Sequence, residues 1–316
     1  MNIRQLVYFS KIYELRNMTR AAEALHIAQP ALSQQLSALE EELKSKLFIR
    51  ENKGVSPTRP ADFLYRQAQT ILRQLEATKA LLLHSTDHGE AITGKISIGL
   101  ASSTSSMLSI PLIERIQKDF PGILLELMSI TSADLPNLLR GGRCDFILAP
   151  DPHQTEGVEI ESLLVEELFF IASKKLPGVG SKINIEEISN YPLILPSPPN
   201  KLRARVDHAF LLEQMTYNLL AESGTVGILI PAVMKGYAGT ILPYSSAKKE
   251  IDEGAVHIYP FQKTMYREIS FCYNNTMPLT PAVRLVMNSC LSLVAEMIDT
   301  GVWKNCYLST THPSKR

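Results

Sequence analysis

The chain has 316 residues, 45% hydrophobic and 20% charged, with 16 glycines and 19 prolines. At roughly 100–200 residues per domain that is material for two or three folded domains, and it excludes a collagen-like or a disordered polar chain. The 32 Lys and Arg balance 32 Asp and Glu, so bulk charge points to no polyanionic partner and the signal has to lie in local placement.

The N-terminal part reads as helix: no glycine precedes Gly54, and Pro30 and Pro57 are the only early prolines. Residues Asn2–Arg16 carry Ile3, Leu6, Phe9 and Tyr13 at three- and four-residue spacings. That spacing predicts an amphipathic helix, where a signal peptide would have an apolar core. Thr19 is the expected N-cap of a second helix, Arg20–Leu25. A third begins at Pro30 and runs to Leu43, with Leu32, Leu36, Leu39 and Leu43 in one narrow stripe. Ser33, Gln34, Ser37 and Glu41 fall on the other side. Gln pairs bidentately with adenine and Ser reaches bases or phosphates, so this face suits a DNA groove. Two short helices joined by His26–Gln29 have the pattern of a helix-turn-helix. Any solvated surface helix is also polar outward, and the spacing alone leaves both readings open.

A small hairpin is expected next, Leu47–Arg50 and Val55–Pro57, turned at Asn52-Lys53-Gly54. Lys44, Lys46, Arg50, Lys53 and Arg59 cluster around it and would neutralise phosphate without reading sequence. Residues 1–58 hold eight basic and six acidic side chains, so the clustering is the signal and the sum is not. From Pro60 to about His84, Leu64, Ala68, Ile71, Leu75, Thr78 and Leu82 recur at heptad spacing. Such a seam needs a covering surface, either a second copy of the chain or the protein's own body. His84 and His88 stand four apart and are expected to be a solvated helix end; no metal site is expected.

From Gly94 onward, strand-like runs at Lys95–Leu100, Ile123–Met128, Phe146–Ala149 and Leu168–Ala172 alternate with helical stretches, which predicts a parallel-rich α/β sheet. The alternation restarts at Glu167, and a strand at Tyr266–Tyr273 and a helix at Pro281–Ile298 follow. Two lobes crossed twice by the chain are expected. Ser102 to Ser106 supply clustered hydroxyls before a helix placed around Leu108, a site suited to a small anion. Pro231 is expected to interrupt a lobe-two helix. Nucleophile elbows, phosphate loops and HExxH helices are missing, so catalysis is not expected. Cys144, Cys272, Cys290 and Cys306 are scattered and read as reduced core thiols. Thr225 to Pro243, the most apolar stretch, carries Lys235, prolines and glycines and makes a poor membrane span.

The runs MTRAAEALHIAQPALSQQLSALEEEL and LFIRENKGVSPT resemble the winged helix-turn-helix of LysR-type transcriptional regulators. TGKISIGLASS, LLRGGRCDFILAP and GYAGTILP carry the likeness over nearly the whole chain. The resemblance implies an α fold (winged helix-turn-helix) plus an α/β body: 1–58 for DNA binding, 59–89 for the linker and dimerisation helix, and 90–303 for a two-lobed, periplasmic-binding-protein-like effector domain. Lobe 1 spans about 90–165 and 266–303, lobe 2 about 166–265, and 304–316 is a tail.

It further implies Gln29, Pro30, Ser33, Gln34, Ser37, Arg50 and Lys53 on DNA, Leu64, Ala68, Ile71, Leu75, Thr78 and Leu82 between subunits, and Ser102, Ser103, Thr104, Thr131, Ser197 and Thr225 around an effector. Many members have Arg where Gln34 stands, which would change the base preferred there. The expected protein is a cytoplasmic, sequence-specific regulator without cofactor or membrane partner. Its partners would be palindromic double-stranded DNA, its own copies in a dimer or tetramer, and RNA polymerase. Control would come from a small organic anion or from abundance alone. The alternatives are a solute-binding protein and an α/β enzyme with no role on DNA.

Overall fold

The first helix, α1 (Ile3–Leu15), starts where Asn2 and Gln5 cap each other: each side-chain oxygen accepts the other's backbone N–H, at 2.9 and 3.0 Å. The computed structural model describes residues 1–51, 54–84, 92–173, 180–276 and 278–310. Helix α2 (Met18–Ala24) is capped by Asn17, which accepts from the Arg20 N–H at 3.0 Å. The expected cap, Thr19, therefore lies inside the first turn, because the extended Asn17 already fills the role. The chain leaves α2 through His26 in a left-handed conformation (φ 54°), with Ile27 N–H returning to the Ala22 carbonyl and His26 N–H to Glu23. This turn delivers the chain into α3 (Gln29–Glu42).

Strands β1 (Phe48–Glu51) and β2 (Gly54–Pro57) pair antiparallel into the expected hairpin. Gly54 has φ 147° and a Cβ there would collide with the Arg16 carbonyl oxygen, while Val55 N–H bonds to that same oxygen at 2.9 Å. The hairpin is thus stitched to the end of α1. Glu40, only 8% exposed, ties it to α3 as well: its carboxylate accepts from Leu47 N–H at 2.8 Å, Phe48 N–H at 3.2 Å and Lys46 Nζ at 2.7 Å. Leu6, Phe9, Ile12, Leu32, Leu39 and Leu47 fill the core between these elements.

Helix α4 (Arg59–His84) starts at Thr58, whose Oγ1 accepts from Ala61 N–H at 3.4 Å and donates to the Lys46 carbonyl at 2.7 Å. Its first turns belong to the same core. Leu64 and Ala68, expected in the intersubunit seam, pack there together with Ala61 and Tyr65, and the Tyr13 and Tyr65 rings stack 4.0 Å apart. The reason is length: the apolar stripe runs past the point where α1 covers it. Ile71, Thr78 and Leu82 are exposed and Leu75 is half-buried.

The second compact unit holds the rest of the sheet structure. In chain order it contains β3 (Gly94–Ala101), α5 (Ser102–Asp119), β4 (Ile123–Ile130), α6 (Leu135–Arg140), β5 (Phe146–Pro150) and β6 (Val158–Ala172). There follow α7 (Ile185–Ser189), β7 (Pro192–Pro196), α8 (Lys201–Leu212), β8 (Asn218–Ser223), α9 (Val226–Met234) and β9 (Thr240–Pro243). After a 3-10 turn at Tyr244–Ser246 come α10 (Lys248–Asp252), β10 (His257–Pro260), β11 (Tyr266–Asn274), α11 (Pro281–Asp299) and β12 (Cys306–Leu308).

The main sheet runs β10-β6-β11-β5-β3-β4, with β9 and β12 also on β6. Only β3 pairs parallel within it, to β4 and β5, and the remaining ladders are antiparallel. The expected parallel-rich sheet is therefore a mixed one. Strand β6 has 15 residues where a short strand was expected: Val158–Glu167 pairs with β11 and Leu168–Ala172 with β9 and β10, so one strand serves both lobes. The half-exposed alternation around Glu159 and Glu161 hid its first half.

Helix α5 begins at Ser102, so the hydroxyl cluster forms its first turns and not a preceding loop. Pro231 sits inside α9 without breaking it, at the loss of one backbone bond. The expected tail, 304–316, joins the body at its start: Cys306 is buried and β12 pairs with β6, while 311–316 lie outside the described residues. By length and composition α11 could cross a membrane, but half of that window is buried, with Val286, Cys290 and Val294 fully so. All four cysteines are buried and unpaired as disulfides.

Burial pushes the Glu40 carboxyl up, but Lys46 and the two N–H donors outweigh it and hold it below the usual carboxylate range. A depressed folded-state value means stability present at neutral pH and lost as the pH falls below about 4.5. Glu40→Gln is expected to lower the melting temperature of the winged helix at pH near 7, by roughly 1–3 kcal/mol in stability. Melts followed by circular dichroism should show the gap from wild type closing in acid.

Candidate nucleic-acid interface and ligand cleft

On α3 the buried stripe of Leu32 and Leu39 fixes which side faces out. Gln29, Pro30, Gln34 and Ser37 are exposed and Ser33 is half-buried. Arg50, on β1, donates from Nη2 to Ser33 Oγ at 3.4 Å, which brings the base of the wing against the helix face. Lys53 lies outside the described residues. Lys46, 78% exposed at the side chain, adds positive charge beside the hairpin. The N-cap residue Ala28 gives α3 no side-chain cap, so its first-turn N–H groups are left for an outside acceptor. One surface therefore offers an amide and hydroxyls that can address base edges, with a guanidinium and helix N–H groups suited to phosphate.

In the second unit, a small cavity of about 50 Å³ lies between the lobes. Ser102, Ser103, Thr131 and Thr225 line it, as expected. Thr104 is fully buried and Ser197 is taken up in the backbone turn that accepts from Asn200 N–H and donates to Ser223, so neither lines the cavity. Thr131 Oγ1 is occupied by Asp134 at 2.6 Å. The lobes are tied directly across the gap: Asn200 Nδ2 donates to Ser132 Oγ and Arg205 Nη2 to Asp151 Oδ1, both at 2.9 Å.

Behind these ties is a buried ion pair on the two crossing strands. Arg267 on β11 is the register partner of Glu166 on β6, with Nε and Nη2 at 2.7 and 2.6 Å from Oε2. Arg267 Nη2 also donates to Ser103 Oγ at 2.7 Å, and Trp303 Nε1 to Glu166 Oε1 at 3.0 Å. The charge at the cavity is thereby neutralised from within. Asp151, Asn200, Arg205, Glu166 and Arg267 had no signal in the sequence, because only the strand crossing brings them together.

These two surfaces define a DNA-binding winged helix coupled in one chain to a two-lobed sensor-type body. Residues 3–62 match the lysR family of bacterial regulatory helix-turn-helix proteins and residues 89–295 match the LysR substrate binding domain. The chain belongs to the LysR family of DNA-binding transcriptional regulators, and it is a regulator rather than an enzyme. It is 37% identical to the nitrogen assimilation regulatory protein nac of Escherichia coli (strain K12) over 249 residues, 78% of this chain and 80% of that one. A full-length OxyR variant from Pseudomonas aeruginosa shares the fold with TM-score 0.73 at 22% identity, covering 92% of this chain and 94% of the other. Full-length CbnR complexed with its target DNA has TM-score 0.66 at 19% identity, over 94% and 100% of the two chains.

Removing the charge of Glu166 strands a buried guanidinium. Glu166→Gln is expected to cost about 3–5 kcal/mol in urea unfolding, and Glu166→Gln/Arg267→Met to recover most of it. A double variant no more stable than the single one would mean that the pair is not what closes this region.

Proposed function

We propose that α3 enters the major groove of a palindromic operator, with Gln29, Pro30, Ser33, Gln34 and Ser37 on its groove-facing side and Arg50 and Lys53 of the hairpin on the phosphate backbone. The observation that supports this reading is the Arg50–Ser33 contact: a guanidinium, a group suited to phosphate, lies one side chain away from the exposed helix face. The likeness to the nitrogen assimilation regulator supports control of nitrogen-related genes; the proposed setting is the cytoplasm, with RNA polymerase as the partner at the promoter. Exchanging the two central residues, Ser33→Gln/Gln34→Ser, is expected to change the base preferred at that contact by about 1–3 kcal/mol in a selected-DNA binding profile. Arg50→Ala should weaken all sites alike and flatten the salt dependence by about one contact. A profile unmoved by the exchange sinks the groove assignment.

Pairing of α4 with a second copy through Ile71, Leu75, Thr78 and Leu82 gives the two readers that a palindrome needs, and further association of the bodies gives a tetramer. Leu64 and Ala68 contribute by fixing the start of α4 on the winged helix. Leu75→Lys is expected to yield monomers by sedimentation and to lower operator affinity by roughly 100-fold or more, with each unit still folded.

The closed cavity favours control by abundance alone: about 50 Å³ is room for a water or two, and the ties from Ser132 and Asp151 fill the place of a ligand. A small organic anion is the second reading, favoured by the uncapped N-terminus of α5 at Ser102 and Ser103. In that case the lobes have to part before it binds. Footprints with and without saturating organic acids separate the two.

A further inference from the structure

Lobe 2 holds a second cavity of about 570 Å³, within the range of small-molecule pockets and far larger than the interlobe gap. One wall is the face of α8 that carries Arg205, His208, Ala209 and Leu212, at the three- and four-residue spacing of a single helix side. The rest of the lining is mixed: Ile183 is fully buried and Phe261 2% exposed, Met215 and Met265 are partly buried, and Asn184, Gln262 and Thr264 supply polar groups. Methionines adapt to bodies of differing shape. Of the charged groups at the rim, Lys263 stands 3.8 Å from Glu213 and Glu186 is exposed in the first turn of α7.

Arg205 belongs to two places. It lines this pocket, and its Nη2 reaches across to Asp151 Oδ1 in the interlobe gap. Its side chain is 41% exposed against 15% for Asp151, so the guanidinium can turn toward a new acceptor while Asp151 stays put. Asp151 would keep the Glu268 N–H, 3.0 Å away, as a donor.

We propose that this pocket binds an amphipathic monocarboxylate, with its apolar body against Met215, Met265 and Phe261 and its carboxylate on Arg205 in place of Asp151. Binding thereby removes one of the ties that hold the lobes together. The site is separate from the interlobe cavity and does not depend on how α3 meets DNA.

The test is a titration of the full chain, labelled at its methionine methyls, with phenylacetate and with neutral phenylacetamide. Phenylacetate is expected to shift the Met215 and Met265 signals saturably and to bind about tenfold more tightly than the amide. Arg205→Gln should remove that advantage and leave amide binding as it was. Asp151→Asn, which releases Arg205, should tighten phenylacetate several-fold. Ala209→Trp should block both compounds. Equal binding of acid and amide, unmoved Met215 and Met265 signals, or unchanged affinity in Arg205→Gln or in Asp151→Asn overturns the proposal.

Discussion

A carboxylate taken out of water has to be given partners, and this chain does so at the two places where its parts are joined. Glu40 sits where α3 meets the hairpin, and accepts from two backbone N–H groups and a lysine. Glu166 sits where the strands cross between lobes, and accepts from Arg267 and Trp303. A hydrophobic contact at either place would allow the parts to slide. Directional bonds to a fixed charge set one relative placement, and the surfaces that do the work are placed by it.

The two carboxylates differ in what surrounds them. Glu40 is held by backbone donors that any sequence would supply at the start of β1, so its role depends on the turn from α3 into the hairpin. Glu166 is held by side chains from distant segments, Arg267 from β11 and Trp303 from the run into β12. Residues 303–308 are therefore structural: Trp303 closes the network from the far side, and β12 continues it as a strand on β6.

That difference explains how much could be read from the sequence. The winged helix was largely legible, because its helices carry narrow leucine stripes and its turns are made by neighbours in sequence; Thr19 for Asn17 moved a cap by two residues, and Leu64 and Ala68 were read as seam although they pack in its core. In the body, strands with apolar runs were legible, and β6 was cut short because glutamates alternate through its first half. The hydroxyls at Ser102 and Ser103 could be found as a cluster. The groups that close the gap around them could not, since Asn200, Arg205 and Arg267 meet Ser132, Asp151 and Ser103 only in the folded body. Local periodicity reports on one element at a time, and the gap between the lobes is lined from many elements of both.

On the proposed DNA face, the same logic divides the labour between two adjacent residues. Ser33 is half-buried and already holds Arg50, so its hydroxyl has one direction fixed before any duplex arrives. Gln34 is exposed and keeps both its carboxamide groups free of described partners, which is what bidentate pairing with a base edge requires. In the proposed arrangement the held residue would fix the distance between helix and wing, and the unheld one would select the base. Binding energy would then come mainly from the charges around the hairpin, and the choice of sequence from very few atoms on α3.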